Sequence, residues 1–198
     1  MNVPNKITVC RIILSVLLLI IMVFPMERFG FSFPELKIND NLIVDSEYLI
    51  CGVIFAIAAI TDFLDGYLAR KYNLVTDLGK VMDAIADKLL VNGVLIILAV
   101  EGYISVIIPV VIICRDIIVD SIKMVVGQKN GAVAASTTGK FKTAFMLVGV
   151  VLILFYDLPF SLFGIYIGRV VVMIATILSV ISAVQYYVKN KKYLFSSK

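Results

Sequence analysis

The chain has 198 residues, 61% hydrophobic and only 16% charged, with a mean hydropathy of +1.04. Soluble domains run nearer 45–50% apolar and about 25% charged, so the composition excludes a soluble globular fold and predicts a multi-spanning membrane protein. The net charge of +4 argues for no nucleic-acid partner, and the lack of any histidine excludes His-ligated zinc and His-based nucleophilic catalysis.

A membrane-spanning helix needs about 20 mostly apolar residues. Six segments qualify: 8–25, 46–70, 77–100, 104–126, 139–157 and 162–188. The chain opens with MNVPNKITVCRIILSVLLLIIMVFP, in which Lys6 and Arg11 precede the apolar stretch. No small-residue cleavage site follows, so this is an uncleaved first span rather than a signal peptide, and Pro25 closes it. The polar, turn-rich MERFGFSFPELKINDNLIVDSE reads as a loop. The second span ends in TDFLDGYLAR, and KYNLVT links it to the third. EGY leads to the fourth span, which contains CRDIIVDSIK; GQKNGAVAASTT leads to the fifth, and DLPFS to the sixth. Tyr186, Tyr187 and Tyr193 near the end of the sixth read as an interfacial anchor. Cys10, Cys51 and Cys114 fall at different depths, which argues against a disulfide framework.

Alternate loops then face opposite sides. One set, 26–45, 101–103 and 157–161 with the adjoining helix starts, holds Arg28 and Lys37 as its only bases against seven acids: Glu27, Glu35, Asp40, Asp45, Glu47, Glu101 and Asp157. Most other bases lie in the opposite loops or the helix ends beside them. The positive-inside rule therefore predicts that both termini are cytoplasmic. Every remaining acid falls on the second, third and fourth spans. A carboxylate inside the bilayer costs roughly 2.5–3.5 kcal/mol on insertion scales, so such groups are rare and usually functional.

At 100° per residue, Asp62 and Asp65 share one helix face, and Asp83 and Asp87 lie one turn apart on the next helix, with Gly79 a turn before them. The six-residue link makes these helices antiparallel neighbours, so four carboxylates can converge. Crowded carboxylates raise one another's pKa unless cations enter, which points to one or two hard divalent ions held by oxygen, Mg²⁺, Mn²⁺ or Ca²⁺. The rival reading pairs the acids with Arg70, Lys71, Lys80 and Lys88 at the membrane surface, and makes Gly66, Ala69 and Gly79 packing residues.

Asp62-x-x-Asp65-Gly66-x-x-Ala69-Arg70, then eight residues, then Gly79-x-x-x-Asp83-x-x-x-Asp87 resembles the signature of the CDP-alcohol phosphotransferase family at every fixed position. The resemblance implies a single all-α membrane domain over 1–198, with six transmembrane helices and a short N-terminal amphipathic segment. It implies homodimers, a bacterial cell membrane location, and a two-metal site of Mg²⁺ or Mn²⁺ on Asp62, Asp65, Asp83 and Asp87. It also implies that Asp87 is the base for the acceptor hydroxyl and that Gly66, Ala69, Arg70 and Gly79 form the CDP site. The opening PNKITVCR resembles the family's Pro-Asn-x-x-Thr-x-x-Arg start, which would put Asn5 and Thr8 beside the nucleotide; N-capping by Asn5 is the alternative.

The acceptor must be read from the second half. Arg115 lies deep in the fourth span, and Lys140 and Lys142 open the fifth among hydroxyls, so the three make a receptor for an anionic phosphate. The alternatives are pairing of Arg115 with Asp116 or Asp120, and lysines touching anionic lipid heads. The RD…D and S-x-x-GK-x-KT patterns resemble the bacterial branch of the family that uses glycerol 3-phosphate. The implied reaction moves a phosphatidyl group from CDP-diacylglycerol to glycerol 3-phosphate among membrane lipids, releasing CMP. Inositol phosphate is the alternative acceptor, and divalent-cation transport the rival from another class. Arg169, about seven residues into the sixth span, has no assigned role.

Overall fold

The computed structural model describes residues 3–24, 30, 33–39, 42–72, 76–130 and 137–195. Six helices follow in chain order: α1 Val3–Val23, α2 Ser46–Lys71, α3 Asp77–Val100, α4 Ile107–Asn130, α5 Thr137–Leu154 and α6 Ile167–Phe195. A two-stranded antiparallel hairpin, β1 Glu35–Asn39 and β2 Leu42–Asp45, precedes α2. The chain is thus an all-α membrane bundle, as its composition predicts. Pro25 lies outside the described residues. Asn5–Val23, Ser46–Tyr67 and Ile167–Lys191 are long and apolar enough to cross a bilayer on those criteria alone. The helices α3, α4 and α5 carry further ionisable residues that the site gathers.

The hydrophobic centre joins all six helices through Leu18, Phe55, Val94, Leu98, Ile112, Met146, Val150 and Val172. Helix α1 packs on α2 and α3, α4 packs on α6, and α5 packs most extensively on α6. The close approach of α5 and α6 depends on Gly149, where an added Cβ would lie 2.6 Å from Val172 Cγ2 and 3.0 Å from its backbone nitrogen. Small residues at such crossings let helix backbones approach and gain dispersion contacts, since lipid removes the hydrophobic drive for helix pairing.

The structure differs from the sequence reading at three points of the end opposite the site. The loop before α2 contains the β-hairpin, whose last residue, Asp45, accepts a hydrogen bond from the Tyr156 hydroxyl at 3.0 Å. Tyr156 in turn meets the rings of Tyr48 and Tyr103. Asp157, expected in an exposed loop, is buried and accepts a hydrogen bond from the Gly168 amide at 2.6 Å, capping the start of α6. Arg169 falls in the first turn of α6, because the helix begins later than the apolar run, and its guanidinium stacks on Tyr166 at 5.6 Å.

At the other end, α3 starts with an N-cap. Thr76 is extended, and its hydroxyl accepts from the Gly79 amide at 3.0 Å. The same hydroxyl meets the Asn5 amide group at 3.1 Å, tying the first turn of α1 to the start of α3. A Cβ at Gly79 would lie 2.7 Å from Asn5 Oδ1, so the bare glycine leaves room for this side-chain contact. The short amphipathic opening segment is the beginning of α1 itself. Asn5, Thr8 and Arg11 are buried on one stripe, while Lys6 and Cys10 are exposed on the other.

Candidate active site

Chain direction alternates through the bundle, so one end collects the start of α1, the end of α2, the start of α3, the end of α4, the start of α5 and the end of α6. The aspartates and the acceptor-site bases singled out in the sequence lie at that end. Carboxylate oxygens of Asp62, Asp65 and Asp83 lie within 4.8 Å of one another. Asp65 is the most deeply placed, at 2% exposure, and its Oδ1 has no hydrogen-bond partner. Its Oδ2 faces the Thr8 hydroxyl at 3.3 Å, and the same hydroxyl donates to Asp83 Oδ1 at 2.9 Å.

The geometry fits a cation site better than surface ion pairing. A buried carboxylate oxygen without a donor carries a desolvation cost of about 1–3 kcal/mol or more, which a coordinated cation would offset. The donors are all oxygen, from two adjacent helices, as hard divalent ions prefer. Of the bases proposed as surface partners, Lys88 instead pairs with Asp120 on α4.

One member of the cluster was not assigned a role from the sequence: Arg11. It is completely buried, and its guanidinium contacts Asp62, lies 2.9 Å from Asp83 Oδ1, 3.4 Å from Asp87 Oδ1 and 3.8 Å from Asp65 Oδ2. The available signal was its spacing: Asn5, Thr8 and Arg11 recur every three residues at the head of an apolar helix.

A cavity of about 250 Å³ opens beside the cluster. Asp62 and Asp87 form part of its wall, and so do four cationic residues, Lys88, Arg115, Lys123 and Lys142. Arg115 is locked in place. Its Nη1 donates to Asp116 at 2.8 Å, its Nε to the Ser179 carbonyl at 3.0 Å and its Nη2 to the Ser182 hydroxyl at 2.6 Å. Lys142 Nζ donates to the same Asp116 carboxylate at 3.1 Å. A shared carboxylate thus holds two cations from different helices at one wall.

The remaining sequence-derived residues are distributed as follows. Asn5 and Gly79 meet at the base of α3, and Thr8 joins the aspartates directly. Gly66 and Ala69 lie on the last turns of α2, half-buried, while the Arg70 side chain lies outside the described residues. Lys140 is exposed and lies off the cavity wall, which takes Lys142 instead. Lys88, whose charge the sequence places beside the metals for pairing with phosphate, lines that wall, and so does Lys123, to which the sequence reading gave no role.

A membrane bundle that gathers two aspartate pairs from adjacent helices around an Asp-x-x-Asp-Gly-x-x-Ala-Arg motif defines a class, and residues 1–183 match the CDP-alcohol phosphatidyltransferase family. The chain belongs to that family. It is 37% identical over 196 residues to the CDP-diacylglycerol–glycerol-3-phosphate 3-phosphatidyltransferase of Bacillus subtilis, covering 99% of this chain and 98% of that one. Proteins of the same name from Rickettsia bellii and Salmonella choleraesuis are 32% and 30% identical. The first match covers 97% of both chains, and the second covers 93% of this chain and 92% of the relative.

Proposed function

We propose that this protein transfers the phosphatidyl group of CDP-diacylglycerol to sn-glycerol 3-phosphate, releasing CMP and forming phosphatidylglycerophosphate. The observation that carries this reading is a cavity whose wall joins Asp62 and Asp87 to Arg115, Lys142, Lys88 and Lys123. Asp116 and Asp120 on the same wall pair with these four bases and pre-position them, and a phosphomonoester would be held by charge-assisted hydrogen bonds from them. The names of the near-full-length relatives point to the same reaction.

Asp62, Asp65, Asp83 and Asp87 would hold Mg²⁺ or Mn²⁺, which when bound neutralises pyrophosphate charge and stabilises the departing CMP. Asn5, Thr8, Gly66, Ala69, Arg70 and Gly79 would border the CDP moiety. Arg115 and Lys142 would hold the acceptor's phosphate, with Lys88 and Lys123 beside them. Asp87 is the most open of the four carboxylates, its side chain 53% exposed, and it takes the proton of the acceptor's primary hydroxyl. As that oxygen bonds to the lipid-bearing phosphorus, the bond from this phosphorus to the bridging oxygen breaks, and CMP leaves with the electron pair. Direct displacement needs no enzyme nucleophile, in keeping with a site built of carboxylates and cations.

In this reading the site end of the bundle faces the cytoplasm of a bacterial cell, and the lipid donor enters sideways between helices. Purified protein supplied with CDP-diacylglycerol and a panel of glycerol 3-phosphate, inositol 1-phosphate, inositol and serine tests the acceptor. CMP and an acidic lipid product should form with glycerol 3-phosphate. Product with inositol 1-phosphate alone would replace the acceptor while keeping the chemistry.

A further inference from the structure

Arg11 is a fully buried cation placed among the carboxylates assigned above to divalent ions, and the way it is held differs from that of Arg115. Arg115 makes three directional hydrogen bonds, to a carbonyl, a hydroxyl and a carboxylate. Arg11 has one aligned hydrogen bond, from Nη2 to Asp83 Oδ1 at 2.9 Å, while its buried Nε and Nη1 have none. Nη1 nevertheless contacts Asp62 and lies 3.4 Å from Asp87. The guanidinium is therefore held chiefly by charge, between two carboxylates of α2 and two of α3.

We propose that Arg11 competes with divalent cations for these carboxylates and so sets how tightly the site binds its metal. A divalent ion ligated by Asp83 Oδ1 at about 2.1 Å would lie within about 5 Å of Arg11 Nη2, which hydrogen-bonds the same oxygen. Like charges at that distance, shielded from water, repel strongly. Cation binding therefore requires the guanidinium to withdraw from at least Asp62 or Asp83. The flexible three-methylene stem and the lack of aligned hydrogen bonds at Nε and Nη1 leave the guanidinium held by ion pairs rather than by the directional hydrogen bonds that fix Arg115. Arg11 acts through the carboxylates, as a positioning residue: its single positive charge occupies oxygens that a divalent ion must win to bind. Site occupancy thereby becomes sensitive to ion concentration.

This inference rests on the cation-site part of the proposed function, and one experiment separates the two. Mn²⁺ binding to the full-length protein in detergent, read from the free Mn²⁺ electron paramagnetic resonance signal, is compared for wild type, Arg11→Gln and Arg11→Lys. Arg169→Gln, a change of the same charge at the far end of the bundle, is the control. Removing a repelling charge should tighten Mn²⁺ binding about tenfold or more in Arg11→Gln, with a smaller gain of about threefold in Arg11→Lys, whose compact ammonium reaches fewer carboxylates. Arg169→Gln should bind as wild type does. Arg11→Gln should also melt lower than wild type in chelator and recover more of its stability on Mn²⁺ addition. Unchanged or weaker Mn²⁺ binding in Arg11→Gln would overturn the inference alone, and Arg11→Lys decides in the same way if the glutamine variant does not fold. No Mn²⁺ binding to wild type would overturn the cation site with it.

Discussion

Asp65 and Asp87 belong to the same cluster but are exposed differently, and their chemistry divides accordingly. Asp65, enclosed between Thr8 and Arg11, can serve as a ligand but cannot reach an acceptor in the cavity. Asp87 lines the cavity and can do both. Asp87→Asn should therefore reduce CMP release by about 10²–10⁴-fold, the usual contribution of a general base, with CDP-diacylglycerol binding largely kept. Equal loss of donor binding would return Asp87 to a purely ligating role. Lys142→Ala should instead raise the apparent KM for glycerol 3-phosphate by about tenfold or more, since a charge-assisted hydrogen bond contributes about 1.5–3 kcal/mol. Initial rates against acceptor concentration check this, and a fall in kcat with unchanged KM would contradict it. The aspartates were legible because helical spacing places i, i+3 and i, i+4 residues on one face. Arg11 was not, because a single base at the head of an apolar run has the same appearance as a topology signal. Only the fold shows that its stripe turns inward.

Helix spacing at the crossing of α5 and α6 positions both Lys142 and the serines that hold Arg115. Gly149→Ala would place a methyl 3.0 Å from the Val172 backbone nitrogen, a contact that a rotamer change cannot relieve. It should cost about 1–3 kcal/mol, read as a lower thermal midpoint in detergent. A midpoint equal to that of wild type would show that the crossing has slack. Six helices could be read from apolar length alone, but their ends could not. Tyr103 and Ile104 both donate backbone N–H groups to the Leu98 carbonyl, so the turn after α3 consumes the residues expected to start α4, which begins at Ile107. The hairpin was hidden because LKIN and NLIV are short apolar–polar runs inside a turn-rich stretch. Ser179 and Ser182 carried a faint signal, two small polar residues three apart in an apolar helix, but nothing in the sequence linked them to Arg115.

Across the whole bundle, the two ends differ in net charge. The acidic hairpin and Glu101 lie at one end, while the lysines of α4, α5 and α6 lie at the other with the cavity. The same asymmetry that predicts orientation would also favour an anionic soluble substrate at the cavity end. A cysteine introduced in the C-terminal tail, at Ser197, should react with a membrane-impermeant maleimide only after the cells are permeabilised. Labelling of intact cells would invert the topology and leave the site without access to cytoplasmic glycerol 3-phosphate.

Joint cation binding by carboxylates of α2 and α3 underlies both the proposed reaction and the role of Arg11. Diffraction at the manganese absorption edge from crystals grown with Mn²⁺ tests this by position. Anomalous density should fall between Asp62, Asp65 and Asp83, with the Arg11 guanidinium withdrawn from at least one of its carboxylates. Density elsewhere, or bound by the aspartates of one helix alone, would contradict it.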